Sequence, residues 1–323
     1  MNPLSVGIIG LGGMGQMMLA DMLRHDGYFV AVAWDPNKNA RQAVQAHHPD
    51  LRMASDAADL ISDSAIDLLY VASPPKTHRE YFLAAIAAGR PMLCEKPFGV
   101  DVTASEDLLE RIEGAGLRNV INFNHGNALG SSHIEEQLRN GAIGNVAGID
   151  VFIHLTSWPR EFQKTATWLA RREQGGFTRE MLSHWLYLTR RLFGEGTIVR
   201  AHVTFPDDGT SAETSLTAEL DFRGVPLFIK AATGGAGPVG TEYTIWGSKL
   251  SYRLHSGGRI SSSDGGDWVE QFTEIEDIGA GDRQRNLDGA AAVFAGTPAT
   301  MPNAVDGFAV QKLVEDILSW TGN

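Results

Sequence analysis

The chain has one cysteine, Cys94, in 323 residues. No disulfide can form within it, and a reducing cytoplasm is the expected setting. A multi-cysteine zinc cluster is excluded as well, and no His-Glu-x-x-His pair occurs, so no metal centre is expected. Long apolar runs are also missing: nowhere do about 18 apolar residues follow one another. The N-terminus has no basic segment leading into an apolar run, and its apolar stretch is broken by Gly10, Gly12, Gly13 and Gly15. No signal peptide and no membrane span are therefore expected. Basic excess is absent too. Lys and Arg number 27 against 39 Asp and Glu, a net charge of -12. That disfavours DNA or RNA as the main partner, because phosphate backbones select basic surfaces. What the chain does have is 43% hydrophobic residues. That is ample for a folded core, and at roughly 150 residues per domain the length suggests two.

The first ~125 residues alternate between two patterns. Short apolar runs predict buried strands at Leu4–Ile9, Phe29–Trp34, Leu68–Ala72, Pro91–Cys94 and Asn119–Phe123. Between them, Gly13–Leu23, Lys38–Gln45, Thr77–Ala88 and Thr103–Glu113 read as helices, the last with Thr103 as its cap. Such alternation predicts an α/β domain with a doubly wound parallel sheet, placed at residues 1–124. From 125 to 323 the pattern changes. Helices are expected at His133–Asn140, Glu180–Leu192 and Ala304–Trp320. Strands are expected at Val146–His154, Ile198–Phe205, Thr214–Phe222, Val225–Ala231, Glu242–Trp246 and Lys249–Leu254, several joined by short turns. That predicts an α+β domain with a large, mostly antiparallel sheet. Gly234–Gly240 and Ser256–Gly266 read as flexible loops.

Three motifs carry chemistry. Gly10-Leu11-Gly12-Gly13-Met14-Gly15 follows the first strand and opens the first helix. Gly10 permits a tight turn, Gly12 lets backbone approach a pyrophosphate, and Gly15 allows close helix–strand packing. Asp35, at the end of the second strand, can accept from both hydroxyls of an adenosine ribose. It would repel a 2′-phosphate, which favours NAD over NADP, although Lys38 lies nearby. An adenosyl-dependent methyltransferase is the competing reading of this loop. The second motif, Cys94-Glu95-Lys96-Pro97-Phe98, follows a strand at the carboxyl edge of the sheet, where Lys96 can stabilise charge on a substrate oxygen. Pro97 could take a cis bond. In the third, Gly175-Gly176 precedes a helix on which Glu180 and His184 are four apart and share a face. A carboxylate there can orient the imidazole of a general acid/base, and the glycines would let the chain approach a ligand closely. Each motif has a plainer reading as well: a glycine turn, a surface ion pair, a helix-surface pair.

Together and in this order, the three motifs resemble the glucose–fructose oxidoreductase / inositol dehydrogenase family, Gfo/Idh/MocA. Tyr70–His78, Asn140–Gly144 and the last helix fit the resemblance too. It implies a nicotinamide-dependent dehydrogenase acting on CH–OH groups of a sugar, polyol or related small molecule, with Lys96, His184 and Glu180 as catalytic residues. It places cofactor contacts at Gly10, Gly12, Gly13, Met14, Gly15, Asp35, Ser73, Pro74, His78, Glu95, Lys96 and Asn124. The chain departs from the family pattern at Gly126, Leu182 and Tyr187, positions expected around the substrate. Trp158, Arg160, Trp168 and Arg179, with Lys164 and Thr165, are candidate substrate contacts, since indoles pack on sugar C–H groups and Arg can clamp a carboxylate. A homodimer or homotetramer through the second sheet is expected. A non-catalytic NAD-binding sensor of the same fold is the alternative, against which Lys96 and His184 argue.

Overall fold

The computed structural model describes residues 2–322. These divide into two compact units. The first runs to Phe123 and also takes in Asn286–Gln311; the second comprises Asn124–Arg285 and the stretch from Lys312 on.

In the first unit the strands are β1 (Leu4–Ile9), β2 (Tyr28–Trp34), β3 (Arg52–Met53), β4 (Leu68–Val71), β5 (Met92–Glu95) and β6 (Asn119–Asn122). They pair in parallel in the order β3-β2-β1-β4-β5-β6. This is the doubly wound dinucleotide-fold order: successive strands are added outward on one side from β1 to β3 and on the other from β4 to β6, with the switch between β1 and β4. Every residue of β4 and β5 is buried, as strands covered on both faces must be. The linking helices are α1 (Gly13–Met22), α2 (Lys38–His47), α3 (Ala57–Ser62), α4 (His78–Ala88) and α5 (Val102–Gly114). Asp101, not Thr103, caps α5: its side chain accepts the Ala104 N–H at 2.8 Å. A residue already inside the helix, as Thr103 is, cannot serve as the cap.

The second unit holds α6 (Leu129–Arg139), β7 (Val146–Leu155), α7 (Ser183–Phe193), β8 (Thr197–Thr204), β9 (Ser215–Phe222), β10 (Val225–Thr233), β11 (Gly240–Gly247), β12 (Ser251–His255), β13 (Ile260–Ser263) and β14 (Val269–Gln271). Its eight-stranded sheet has the order β14-β13-β12-β11-β7-β10-β9-β8. Only β7 and β10 run parallel. Alternate residues point inward, among them Ile149, Val151 and Ile153 on β7 and Leu216, Leu220 and Phe222 on β9. α7 packs on that face: Trp185 stacks on Tyr243 of β11 at 5.3 Å, and the Thr189 and Tyr243 hydroxyls lie 3.1 Å apart.

Two helices follow, α8 (Ile278–Phe294) and α9 (Ala304–Leu318). α8 has no counterpart among the elements expected from the sequence. Leu287, Ala290 and Phe294 of α8 join the core beside α1 and β2, and the Tyr28 hydroxyl donates to the Leu287 carbonyl at 2.7 Å. Within Ser256–Gly266, expected to be loop, Ile260 of β13 is fully buried. Among the described residues no helix is long and apolar enough to cross a membrane, and no cluster of three or more His, Cys, Asp or Glu could hold a metal ion.

Candidate active site

In the first unit the chain turns at Gly10, whose φ is +100° and whose N–H donates to the Trp34 carbonyl at 2.8 Å. A Cβ there would lie 2.6 Å from the Ala72 carbonyl oxygen, and one on Gly15 would run into the Gly10 carbonyl. These two glycines therefore serve the fold. Gly12 and Gly13 differ: a Cβ on either would meet nothing within 4 Å. Gly12 is the N-cap of α1 and has no side chain to satisfy the first amides. The bare helix start and its partial positive charge suit an anion, and Met14 lies in its first turn.

Asp35 is tied to this loop. Oδ2 accepts the Leu11 N–H and Oδ1 the Asn37 N–H, each at 2.7 Å. Arg41 donates to the Asp35 main-chain carbonyl. A carboxylate anchored beside an uncapped, Cβ-free helix start fits the ribose and pyrophosphate of a dinucleotide.

Past β4, the Thr77 hydroxyl lies 2.7 Å from Ser73 Oγ and 2.8 Å from the Pro74 carbonyl, stiffening Ser73–Thr77. His78 is fully buried, so no ring atom faces outward toward a cofactor. Past β5, Glu95 Oε1 accepts from the Tyr70 hydroxyl (2.7 Å) and the Asn122 amide (2.6 Å). Burial, and then the Glu95 charge, push the Tyr70 phenol up, which keeps it a donor. Cys94 is buried and its thiol is likewise pushed up, the state of an inert core thiol. Lys96 is 7% exposed and the Lys96–Pro97 bond is cis.

In the second unit a π-helical turn, Thr178–Leu182, leads directly into α7 and carries Glu180 to the helix that bears His184. Such turns are rare and concentrate at functional sites. The Asn124 N–H donates to His184 Nδ1 at 3.2 Å. An amide can only donate here, so the neutral ring carries its proton on Nε2. Glu180 Oε1 accepts from the Gln163 amide at 3.0 Å and has Arg160 at 3.8 Å. Arg160 Nε in turn donates to Gln163 Oε1 at 2.8 Å. Burial pulls the Arg160 guanidinium below its ordinary value, against the opposing pull of Glu180.

Gly175 and Gly176 pack against their own chain rather than offering a surface to a ligand. A Cβ on Gly175 would collide with the Trp168 and Leu169 carbonyls, and one on Gly176 with Glu213. Buried Glu213 accepts the Thr178 N–H at 2.7 Å and so anchors the start of the π turn.

Residues 4–123 match the family model described as "Oxidoreductase family, NAD-binding Rossmann fold", and residues 132–253 match the GFO/IDH/MocA C-terminal domain. The chain belongs to the GFO/IDH/MocA family. Inositol 2-dehydrogenase of Paracoccus denitrificans is 39% identical over 121 residues, 36% of this chain and 35% of that protein. This match thus spans about a third of the relative's length. Inositol 2-dehydrogenase of Mycolicibacterium gilvum is 26% identical over 327 residues, covering 96% of this chain and 88% of that one. An oxidoreductase from Agrobacterium radiobacter, solved with NAD+, L-tartaric acid and magnesium, superposes with a TM-score of 0.81 at 19% identity, covering 97% and 94% of the two chains. That last likeness is one of fold.

Of the three positions expected around the substrate, Leu182 and Tyr187 are buried within the second unit. The Gly126 carbonyl accepts from Arg191 at 2.7 Å. Of the substrate candidates, Arg179 is committed elsewhere. It pairs in bidentate fashion with Glu315 (2.6 and 2.7 Å) and donates to the Arg172 and Gly175 carbonyls. Four of its five N–H donors are thus used inside the fold. Trp158 donates to the Leu169 carbonyl at 2.8 Å and meets Phe177 edge-on. Trp168 is half-buried in a short turn, Thr167–Ala170. Lys164 and Thr165 are exposed, Lys164 pairing with Glu161. Gln163, Glu213 and Arg191 are the residues sequence reading missed. No spacing links them to the motifs they touch.

Proposed function

We propose that this chain is an NAD-dependent dehydrogenase acting on a secondary alcohol of a polyol, sugar or related small molecule. The observation that carries the reading is the open N-terminus of α1, with Gly12 and Gly13 unobstructed and Asp35 anchored beside them. The inositol 2-dehydrogenase names of the relatives support a polyol as the first substrate to try. Gly10–Gly15 would hold the pyrophosphate and Asp35 the adenosine ribose, with Ser73, Pro74 and Asn124 as further contacts. Asp35 disfavours a 2′-phosphate by like-charge repulsion, hence NAD over NADP. The bound nicotinamide would supply the two-electron redox chemistry. Lys96 donates to the substrate oxygen and stabilises negative charge on it. His184 moves the hydroxyl proton. With Nδ1 accepting from Asn124, the ring donates from Nε2 as it stands, which serves carbonyl reduction. In alcohol oxidation Nε2 must accept, so the Asn124 contact opens and the ring proton moves to Nδ1. Glu180, four residues before His184 and held by Gln163 and Arg160, is assigned the role of supporting that ring. Trp158, Arg160 and Trp168 remain the candidates for substrate contact; Arg179 does not. The single, buried Cys94 suits a reducing cytoplasm.

The test is absorbance at the reduced-nicotinamide band with inositol and a panel of polyols, sugars and sugar acids, run with NAD and with NADP. Lys96→Ala and His184→Ala should each lower turnover by about 100-fold or more and leave NADH binding nearly unchanged. Full activity in both variants removes the assignment; a preference for NADP removes the role given to Asp35.

A further inference from the structure

His78 is the first residue of α4 and is 0% exposed. Its Nδ1 lies 2.9 Å from the Pro97 carbonyl and its Nε2 2.9 Å from the Ser73 carbonyl. Carbonyls only accept. A neutral imidazole has one N–H, so it donates to one of these oxygens at a time and turns a lone pair to the other. Burial disfavours the second proton, and the nearby Lys96 charge works in the same direction. The ring nonetheless sits between two loops that leave adjacent strands, Ser73–Thr77 after β4 and Lys96–Phe98 after β5.

Both loops are otherwise stiff. The Thr77 hydroxyl holds the first to itself. In the second, Glu95 is fixed by Tyr70 and Asn122, and Phe98 packs edge-on against Phe82 at 5.5 Å. Lys96 therefore stands between a fixed Glu95 and a Pro97 whose carbonyl rests on His78. We propose that His78 is a positioning residue. It fixes Pro97, and through it Lys96, against the Ser73–Pro74 loop, without touching cofactor or substrate. This rests on the reading of Lys96 as a catalytic residue.

The experiment is a double-mutant cycle. His78→Phe removes the ring N–H and its hydrogen bond, and His78→Gln keeps an amide N–H in about the same place. Each is made in the wild-type and Lys96→Ala backgrounds. Steady-state kinetics are run with inositol and NAD, and NADH binding is titrated by fluorescence. His78→Phe should lower kcat about 10- to 100-fold, the scale of a displacement of about 1 Å, with a smaller change in the KM for the alcohol. His78→Gln should recover most of that loss. In the Lys96→Ala background His78→Phe should cost little more, because two residues acting through one contact are not additive. An unchanged kcat, or a full additive loss without Lys96, overturns the proposal. If His78→Phe does not fold, His78→Leu, which also lacks the N–H, takes its place in the cycle and decides on additivity. If the wild type shows no turnover on any substrate, the dehydrogenase reading fails by itself. Hydrogen exchange then judges His78: His78→Phe should speed exchange at the Phe98 and Gly99 amides without speeding it in β6, His78→Gln should largely restore the wild-type rate, and unchanged exchange in His78→Phe overturns the proposal.

Discussion

Replacing Gly12 with Ala separates a glycine kept for the fold from one kept for a ligand. Gly12 has φ -70° and ψ -169°, a conformation open to any L-residue. An added Cβ meets nothing within 4 Å. Two small effects on the unliganded protein oppose each other. Less freedom in the unfolded chain stabilises Ala by about 0.4–1 kcal/mol, and Ala is a poorer N-cap than Gly by a similar amount. The unliganded stability should therefore stay within about 1 kcal/mol of wild type. Binding should not. A Cβ in the space over the α1 N-terminus keeps a pyrophosphate from the amides, and each hydrogen bond to a charged group is worth about 1.5–3 kcal/mol. One lost bond raises the NADH Kd roughly 10- to 100-fold. Urea unfolding of the unliganded protein and a fluorescence titration with NADH give the two numbers. A variant that unfolds easily yet binds NADH normally would refute the argument, as would an unchanged Kd. Gly15→Ala is the control: its Cβ runs into the Gly10 carbonyl, so that variant should lose stability whether or not cofactor is present.

Two further outcomes follow from the second unit. Burial raises the Glu213 carboxyl above its ordinary 4.5, so the folded state holds this proton more tightly than the unfolded one. The stability it contributes is fully present below pH 4.5 and is lost as pH rises through the folded pKa. Glu213→Gln has no proton to lose and can still accept from Thr178, so its stability relative to wild type should rise over that range. Urea unfolding at pH 4.5 and 7.5 checks this, and a constant difference would refute it. On the sheet, Phe152, Phe228 and Trp246 share one exposed face, with Phe228 opposite Asp150 and Trp246 bonded to Asp150 at 2.7 Å. An aromatic face of this kind is the expected contact between copies of the chain. Light scattering should report a dimer or tetramer that Phe228→Lys dissociates; a monomeric wild type would end that expectation.

The first unit was readable in the sequence because its signals are local. Apolar runs set β1 and β4, and the Gly10–Gly15 spacing set the turn into α1, where backbone sterics alone require glycine at Gly10 and Gly15. The open space over Gly12 and Gly13 could be inferred from spacing but needed the structure to be seen. α8 was not readable. Gly279, Gly281 and Gly289 argue against a helix, and its buried face is the sparse row Leu287, Ala290 and Phe294, which gains its value from the core it meets. Thr103 looked like a cap because local chemistry allows it, but the chain enters α5 two residues earlier, at Asp101. In the second unit the sequence placed Glu180 and His184 on one helix face, and the fold chose their partners. Gln163, 17 residues away, holds Glu180, and Glu315, 136 residues away, takes the guanidinium of Arg179. Period and backbone sterics act between near neighbours, so the sequence by itself determined strands, helix starts and motifs. Which buried donor meets which acceptor depends on packing between distant segments, and only the tertiary structure decided that.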